Sequence, residues 1–272
     1  MAEPVVGVIG AGSLVGGHLL SQLGAAGWKA LSWKKGVTRP EGAASPVADW
    51  ISLAPIWTLA DYFGLFEAVG ARRVVALSST SVWSKADSED PEEQVLVARL
   101  RLGEAQLQAW GEHQGVDWVL LRPTLIYGGG EDQNVSEIAR LITRFGWFPL
   151  WGGGHGLRQP VHAADVAGAC VAALTAPVAG QTYALSGGET LPYRHMVLRV
   201  FEALGRPPRL LPVPLWLFRL VLVPLRLVPR YRHWRLAMAR RMGQDLVFDH
   251  QPAVRDLGFA PRPFRLTRED LP

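Results

Sequence analysis

Gly10-Ala11-Gly12-Ser13-Leu14-Val15-Gly16 has the most legible chemistry in this chain. It follows an apolar run, Val5 to Ile9, and opens a stretch in which Leu14, Val15, Leu19, Leu20 and Leu23 recur at helical spacing. A strand, a glycine turn and a helix N-terminus in that order make an anion site. Backbone N–H groups and the positive end of the helix face the anion, and glycine leaves no Cβ to hold off a phosphate. The expectation is a dinucleotide pyrophosphate held by Gly10, Gly12, Ser13, Leu14, Val15 and Gly16. An acidic residue at the end of the second strand would select NAD, but here the chain reads Ser32-Trp33-Lys34-Lys35. Lys34 and Lys35 suit a 2′-phosphate, which leans the reading from NAD to NADP; two solvated lysines on a loop explain the same residues.

The elements that must position this turn follow from the order of apolar runs. Lys29 to Trp33, Trp50 to Ala54, Arg73 to Ser78 and Trp118 to Arg122 read as strands after the first, with a helix from about Leu59 to Val69 between the third and fourth. Asp90-Pro91-Glu92-Glu93 is a helix start, with Asp as N-cap, Pro at the first position and Glu at the third, and that helix runs to about His113. Strands alternating with helices at this spacing predict an α/β fold, a Rossmann-type doubly wound parallel sheet covered on both faces. Beyond Pro123 the alternation weakens. The expected division is a dinucleotide-binding core over 1–125 and a C-terminal part over 126–272 that completes the sheet and forms a smaller substrate lobe.

Composition sets the outer bounds. The chain has 272 residues, 49% apolar and 19% charged, which excludes a disordered protein. The single cysteine, Cys170, lies in an apolar run and excludes an internal disulfide or a cysteine-clustered zinc site. No basic region precedes the first apolar run, so no secretory signal is read, and the expected location is cytoplasmic. The net charge of +4 is unevenly placed. Ala203 to Gln244 holds no Asp or Glu and nine of the chain's 28 basic residues, leaving 19 basic against 24 acidic elsewhere. This part of the C-terminal lobe seeks anions.

Four motifs in order, IGAGSLVG, ALSSTSVW, LLRPTLIYG and RQPVHAADVAGA, resemble the short-chain dehydrogenase/reductase superfamily in its NAD-dependent epimerase/dehydratase branch. The resemblance covers most of the chain. The segment between strands two and four is short, with the third strand and its helix collapsed, as in an atypical compact member. In the family the segment matched by ALSSTSVW brings a Ser or Thr to the nicotinamide, and that role falls to Ser79; a strand-end serine capping backbone groups is the plainer alternative. The family's proton donor and helper, a Tyr and a Lys four residues apart on the next helix, fall on Leu96 and Leu100. Neither transfers a proton. No Tyr lies between Tyr62 and Tyr127, and the nearby Arg99 and Arg101 are too basic to shuttle one. Lys85 is the remaining cation that could reach in from a loop.

The resemblance implies further placements. Pro123, Thr124 and Tyr127 line the floor under the nicotinamide. Arg158 grips a nucleotide-sugar diphosphate, with a surface salt bridge as the alternative. Asp165 is read as the N-cap of the helix through Cys170 rather than as a catalyst. A dehydratase would carry an Asp-Glu pair where Thr80 and Ser81 stand, and an epimerase leans on the missing tyrosine.

Pro214 to Val228 is short for a bilayer crossing and interrupted by Arg219, Pro224 and Arg226. The stretch 214–241 leaves three destinations open: a lid over an anionic substrate, a peripheral membrane contact, or a homodimer seam. Nucleic acid is excluded, because its arginines interleave with aliphatics and no nucleic-acid-binding signature accompanies them. Two functions fit the sequence. The first is a slow NAD(P)-dependent oxidoreductase or isomerase on a small anionic substrate, a sugar nucleotide or a lipid-linked molecule. The second is a non-catalytic NAD(P)H-binding sensor or accessory subunit docking a membrane or partner. Family membership leans the sequence reading to the first.

Overall fold

In a computed structural model the described residues are 3–33, 46–213 and 241–272. Lys34 and Lys35, and the arginine-rich stretch from 214 to 240, lie outside them. Five strands of the first half, β1 (Val5–Ile9), β2 (Lys29–Trp33), β3 (Asp49–Ser52), β4 (Arg73–Leu77) and β5 (Asp117–Pro123), form one parallel sheet with a strand from the second half, Gln181–Leu185. In space the order is Gln181–Leu185, then β5, β4, β3, β1 and β2. The chain steps outward from β1 to β2 and then crosses back to β3 on the other side of β1. That reversal opens a crevice at the carboxyl ends of β1 and β3, where ligands of such sheets sit. Among the described residues no strand lies beyond β2, and the segment expected to be collapsed, 34–45, lies outside them.

Alternation along the strands divides the core. Val6, Val8, Ile51, Val75, Leu77, Val119 and Leu121 face one side, against the helices Leu14–Ala25 (α1) and Ala163–Thr175. Ile9, Trp50, Val74, Ala76, Trp118 and Leu120 face the other. There they meet the 3₁₀ helix Ile56–Tyr62, the helix Phe63–Ala68 (α2) and a long helix, Pro91–Gln114. The helix expected from Leu59 to Val69 is thus split. Ile56, Leu59 and Tyr62, all buried, recur every third residue, the period of a 3₁₀ turn rather than of an α-helix. The long helix starts as its sequence predicts, with Asp90 accepting from Glu92 N–H at 3.0 Å and Glu93 N–H at 3.4 Å, and it ends on Gly115 in the left-handed region. A short helix, Ser81–Ser84 (α3), precedes it, so the long helix is α4.

The C-terminal part has its own apolar centre. The helices Val135–Phe145 (α5) and Tyr193–Ala203 pack with Tyr127, Phe148, Leu191 and Phe264. The last residues return to the core: the Asp270 carboxylate accepts from the Thr267 hydroxyl and backbone N–H, both at 2.8 Å, and lies 3.0 Å from His162 Nε2. His162 Nδ1 accepts from Ala164 N–H at 3.0 Å, which leaves the ring proton on Nε2, facing Asp270. His162 is therefore the N-cap of the helix through Cys170. Asp165, read as that cap from sequence, is instead its third residue, and its carboxylate holds Arg262 through the side chain at 2.8 and 2.9 Å and through the backbone N–H at 3.0 Å. A histidine with one ring nitrogen unprotonated can accept from a helix N–H as a cap does, and that option was invisible to residue preference.

Candidate functional site

A crevice of about 330 Å³ opens at the carboxyl ends of β1, β3, β4 and β5. Ser13, Leu14 and Val15 of the glycine turn form one wall, Leu53 to Trp57 after β3 a second, and Ser78, Ser79 and Ser81 after β4 a third. Leu96 and Leu100 of α4, with Pro123 and Ile126, close it.

Each glycine of the turn has its own reason. Gly10 has φ +80°, and a Cβ there would come within 2.9 Å of the Ala54 backbone nitrogen, so the turn needs glycine twice over. A Cβ on Gly16 would lie 2.0 Å from the Ala11 carbonyl oxygen; this glycine lets α1 start tight against the turn. A Cβ on Gly12 would meet nothing within 4 Å. Gly12 thus borders open space at the mouth of the helix. Ser13 is the N-cap of α1, yet no side chain caps that end and no acid stands in the first turn. The Gly16 N–H donates to the Ser13 carbonyl at 2.8 Å, and no side chain caps the N–H groups before it. A helix end of this kind can meet a phosphate group.

The wall opposite in sequence is different in kind. Leu100 is buried and Leu96 half-buried, and both line the crevice. The two positions that the family resemblance gives to a proton donor and its helper therefore do face the pocket, as apolar side chains. Ser79 is half-buried, and its Oγ accepts from Ser81 N–H at 3.1 Å. That bond fixes the oxygen and leaves the hydroxyl proton available to a ligand. Both sequence readings of Ser79, the ligand contact and the backbone cap, are geometrically compatible.

Behind Ser78 lies a feature that sequence reasoning missed. Its hydroxyl donates to Glu104 at 2.5 Å, and Glu104 receives Arg122 in a two-pronged pair at 2.9 and 2.6 Å. The Arg122 guanidinium stacks 4.4 Å over Trp83, whose ring stacks on Phe248 at 5.7 Å. The signal was a carboxylate on the inward face of α4 and an arginine ending an otherwise apolar strand.

Other expected positions fall outside the crevice lining. The Thr124 hydroxyl donates to the Gln159 carbonyl at 2.5 Å, and Tyr127 is buried among His162 and Phe264 with its phenol pushed up to about 12 by burial, the Asp270 and Asp165 charges adding. Of the expected floor residues, Pro123 alone lines the pocket, joined by Ile126. Arg158 is 6% exposed, and its N–H groups donate to the carbonyls of Leu157 at 2.8 Å, Gln244 at 2.7 Å and Arg241 at 2.5 Å. Burial lowers its guanidinium to about 10, still charged at neutral pH. Lys85 lies 3.5 Å from Glu93, which also receives Ser88 at 2.7 Å and Arg241. Burial, then Arg241, lowers the Lys85 amine below its ordinary value.

Residues 57–186 match the NAD dependent epimerase/dehydratase family. The match covers just under half of the chain. The matched segment takes in the serine turn, RPTLIYG and RQPVHAADVAGA, and begins after the glycine turn. The chain is 26% identical over 162 residues to UDP-glucose 4-epimerase of Vibrio cholerae, covering 56% of this chain and 49% of that one. The chain spans about half, or less, of the length of the curated relatives it matches. RMD from Pseudomonas aeruginosa complexed with NADPH superposes with a TM-score of 0.69 at 17% identity, covering 95% of this chain and 93% of that one. MoeE5 in complex with UDP-glucose and NAD gives 0.69 at 18%, covering 95% and 94%. At such identities the likeness is one of fold. Among the described residues no helix is long and apolar enough to cross a membrane, and no cluster of His, Cys, Asp or Glu is arranged to hold a metal.

Proposed function

We propose that this chain binds a nicotinamide dinucleotide in the crevice and lacks a proton relay beside it. Gly10, Gly12, Ser13, Leu14, Val15 and Gly16 would hold the pyrophosphate, with Pro123 under the nicotinamide. A bound nicotinamide would supply hydride transfer. The preference for NADP over NAD rests on Lys34 and Lys35. The observation that carries the reading is the lining itself: among the described residues it offers serine hydroxyls and apolar groups, with Leu96 and Leu100 where a Tyr and a Lys would stand. General acid–base help is worth about 10²–10⁴ in rate, so a site without it reduces or oxidises slowly or not at all.

The lining favours a binding protein, a sensor or an accessory subunit that docks a membrane or partner. Ser79 favours a slow oxidoreductase or isomerase on a small anionic substrate such as a sugar nucleotide: its free hydroxyl proton could donate to a substrate carbonyl while Ser81 N–H holds its oxygen. In either version Arg158 and Thr124 position backbone rather than substrate, because their donors go to carbonyl oxygens. Nicotinamide turnover over a panel of sugar nucleotides tests the choice. Turnover that Ser79→Ala removes supports the enzyme; binding without turnover, unchanged in that variant, supports the sensor.

A further inference from the structure

Two stretches of this chain hold no acidic residue, Ile138 to Ala164 and Ala203 to Gln244. The fold lays parts of them side by side. The strand Leu210–Val213 pairs in parallel with Phe148–Trp151, Leu210 beside Phe148 and Leu211 beside Pro149. Phe148 is buried and Leu210 packs against the same apolar cluster. By strand alternation Trp147, Pro149 and Leu211 then belong to the outer face of this ribbon. Phe145 is 46% exposed, Trp147 37% and Leu211 47%. The Phe145 and Trp147 rings lie 6.0 Å apart, and the Arg144 guanidinium sits 5.2 Å over Phe145. Arg206 donates to the carbonyls of Ile142 and Thr143 at 2.9 and 3.0 Å, beside the same end of α5. The carbonyl of exposed Arg209 accepts from Phe148 N–H at 2.9 Å.

We propose that this ribbon and the end of α5 form a docking surface for an anionic phospholipid bilayer. Exposed rings alone would fit any apolar partner. What selects the bilayer is the combination: aromatic rings suited to headgroup depth, the Arg144 guanidinium over one of them with exposed Arg209 on the neighbouring strand's approach, and no carboxylate in either strand. The sequence that follows the second strand continues in the same composition, apolar with arginines. The proposal rests on no part of the dinucleotide reading.

Flotation of the full chain with vesicles tests it, using neutral phosphatidylcholine and the same lipid containing anionic phosphatidylglycerol. Roughly tenfold more protein should float with the anionic vesicles, and raised salt should reduce the difference. Phe145→Ser with Trp147→Ser should remove most of the binding while leaving thermal melting and dinucleotide titration unchanged. If that variant melts early, Arg144→Gln with Arg209→Gln takes its place and should lose the preference for anionic lipid. Failure to float with either vesicle, or flotation unchanged in the variants, would overturn the proposal. So would light scattering that shows a dimer which the ring variant splits, for the patch would then be a contact between copies. Loss of dinucleotide binding with flotation intact would count against the cofactor reading alone.

Discussion

Leu96 and Leu100 lie one turn apart on one face of α4, and both line the crevice that the glycine turn opens. Helical geometry fixes the relationship: residues four apart stand one above the other. The pocket therefore has the uncapped start of α1 at one wall and aliphatic side chains where the family resemblance puts its proton chemistry. Binding and chemistry are separable in this fold, and here their residues have separate fates.

The glycines separate them experimentally. Gly12→Ala adds a Cβ in open space and should leave stability within about 1 kcal/mol. Gly16→Ala drives a Cβ to 2.0 Å from a backbone oxygen, which only a shift of α1 relieves, and should cost on the order of 1–3 kcal/mol or more. Urea midpoints of the two variants check the contrast.

Much of the fold was legible in the sequence because its signals were local. The Asp90-Pro91 start of α4, the buried runs of β1, β4 and β5 and the glycine turn each announce themselves within a few residues. What remained hidden was long-range. That Arg158 turns to the carbonyls of 241 and 244, that Thr124 bonds Gln159, and that His162 outcompetes Asp165 as a cap depend on segments meeting across the fold. The Ser78–Glu104–Arg122 chain was hidden for the same reason, its members coming from three elements.

That chain makes a second prediction. The Arg122 and Glu104 side chains are 16% and 10% exposed, so removing one charge leaves the other nearly buried without its partner. Glu104→Gln should destabilise by about 3 kcal/mol. It should also free the Ser78 hydroxyl at the crevice wall. Thermal melts of Glu104→Gln, Arg122→Met and the double variant check it: the double should lose less than the sum of the singles.

Acid should act through the C-terminal tail. Burial alone would raise the Asp270 carboxyl, but the Thr267 N–H and hydroxyl, with His162, outweigh it and hold it below the ordinary carboxylate value. A depressed folded value gives stability that is present above the unfolded value, near 3.8, and is lost as pH falls through the folded one. Melting temperature should drop with pH in that window more steeply for the native protein than for Asp270→Asn. Parallel curves would contradict the assignment.

Cys170 is fully buried, and burial pushes its thiol up to about 12. A thiol-specific reagent at neutral pH should leave the native protein unlabelled and modify one thiol per chain once urea unfolds it. Fast labelling of the native protein would mean that the helix through Cys170 opens readily.

The central claim is that the glycine turn holds a dinucleotide. Calorimetric titration with NADPH and with NADH, repeated on Gly12→Asp, tests it most directly. The native protein should bind, more tightly to NADPH if Lys34 and Lys35 meet a 2′-phosphate. Gly12→Asp should keep its melting temperature, since the space beside Gly12 is open, and lose the binding, since its carboxylate would face the pyrophosphate. Absence of heat with either dinucleotide, or binding that Gly12→Asp leaves intact, would contradict the account.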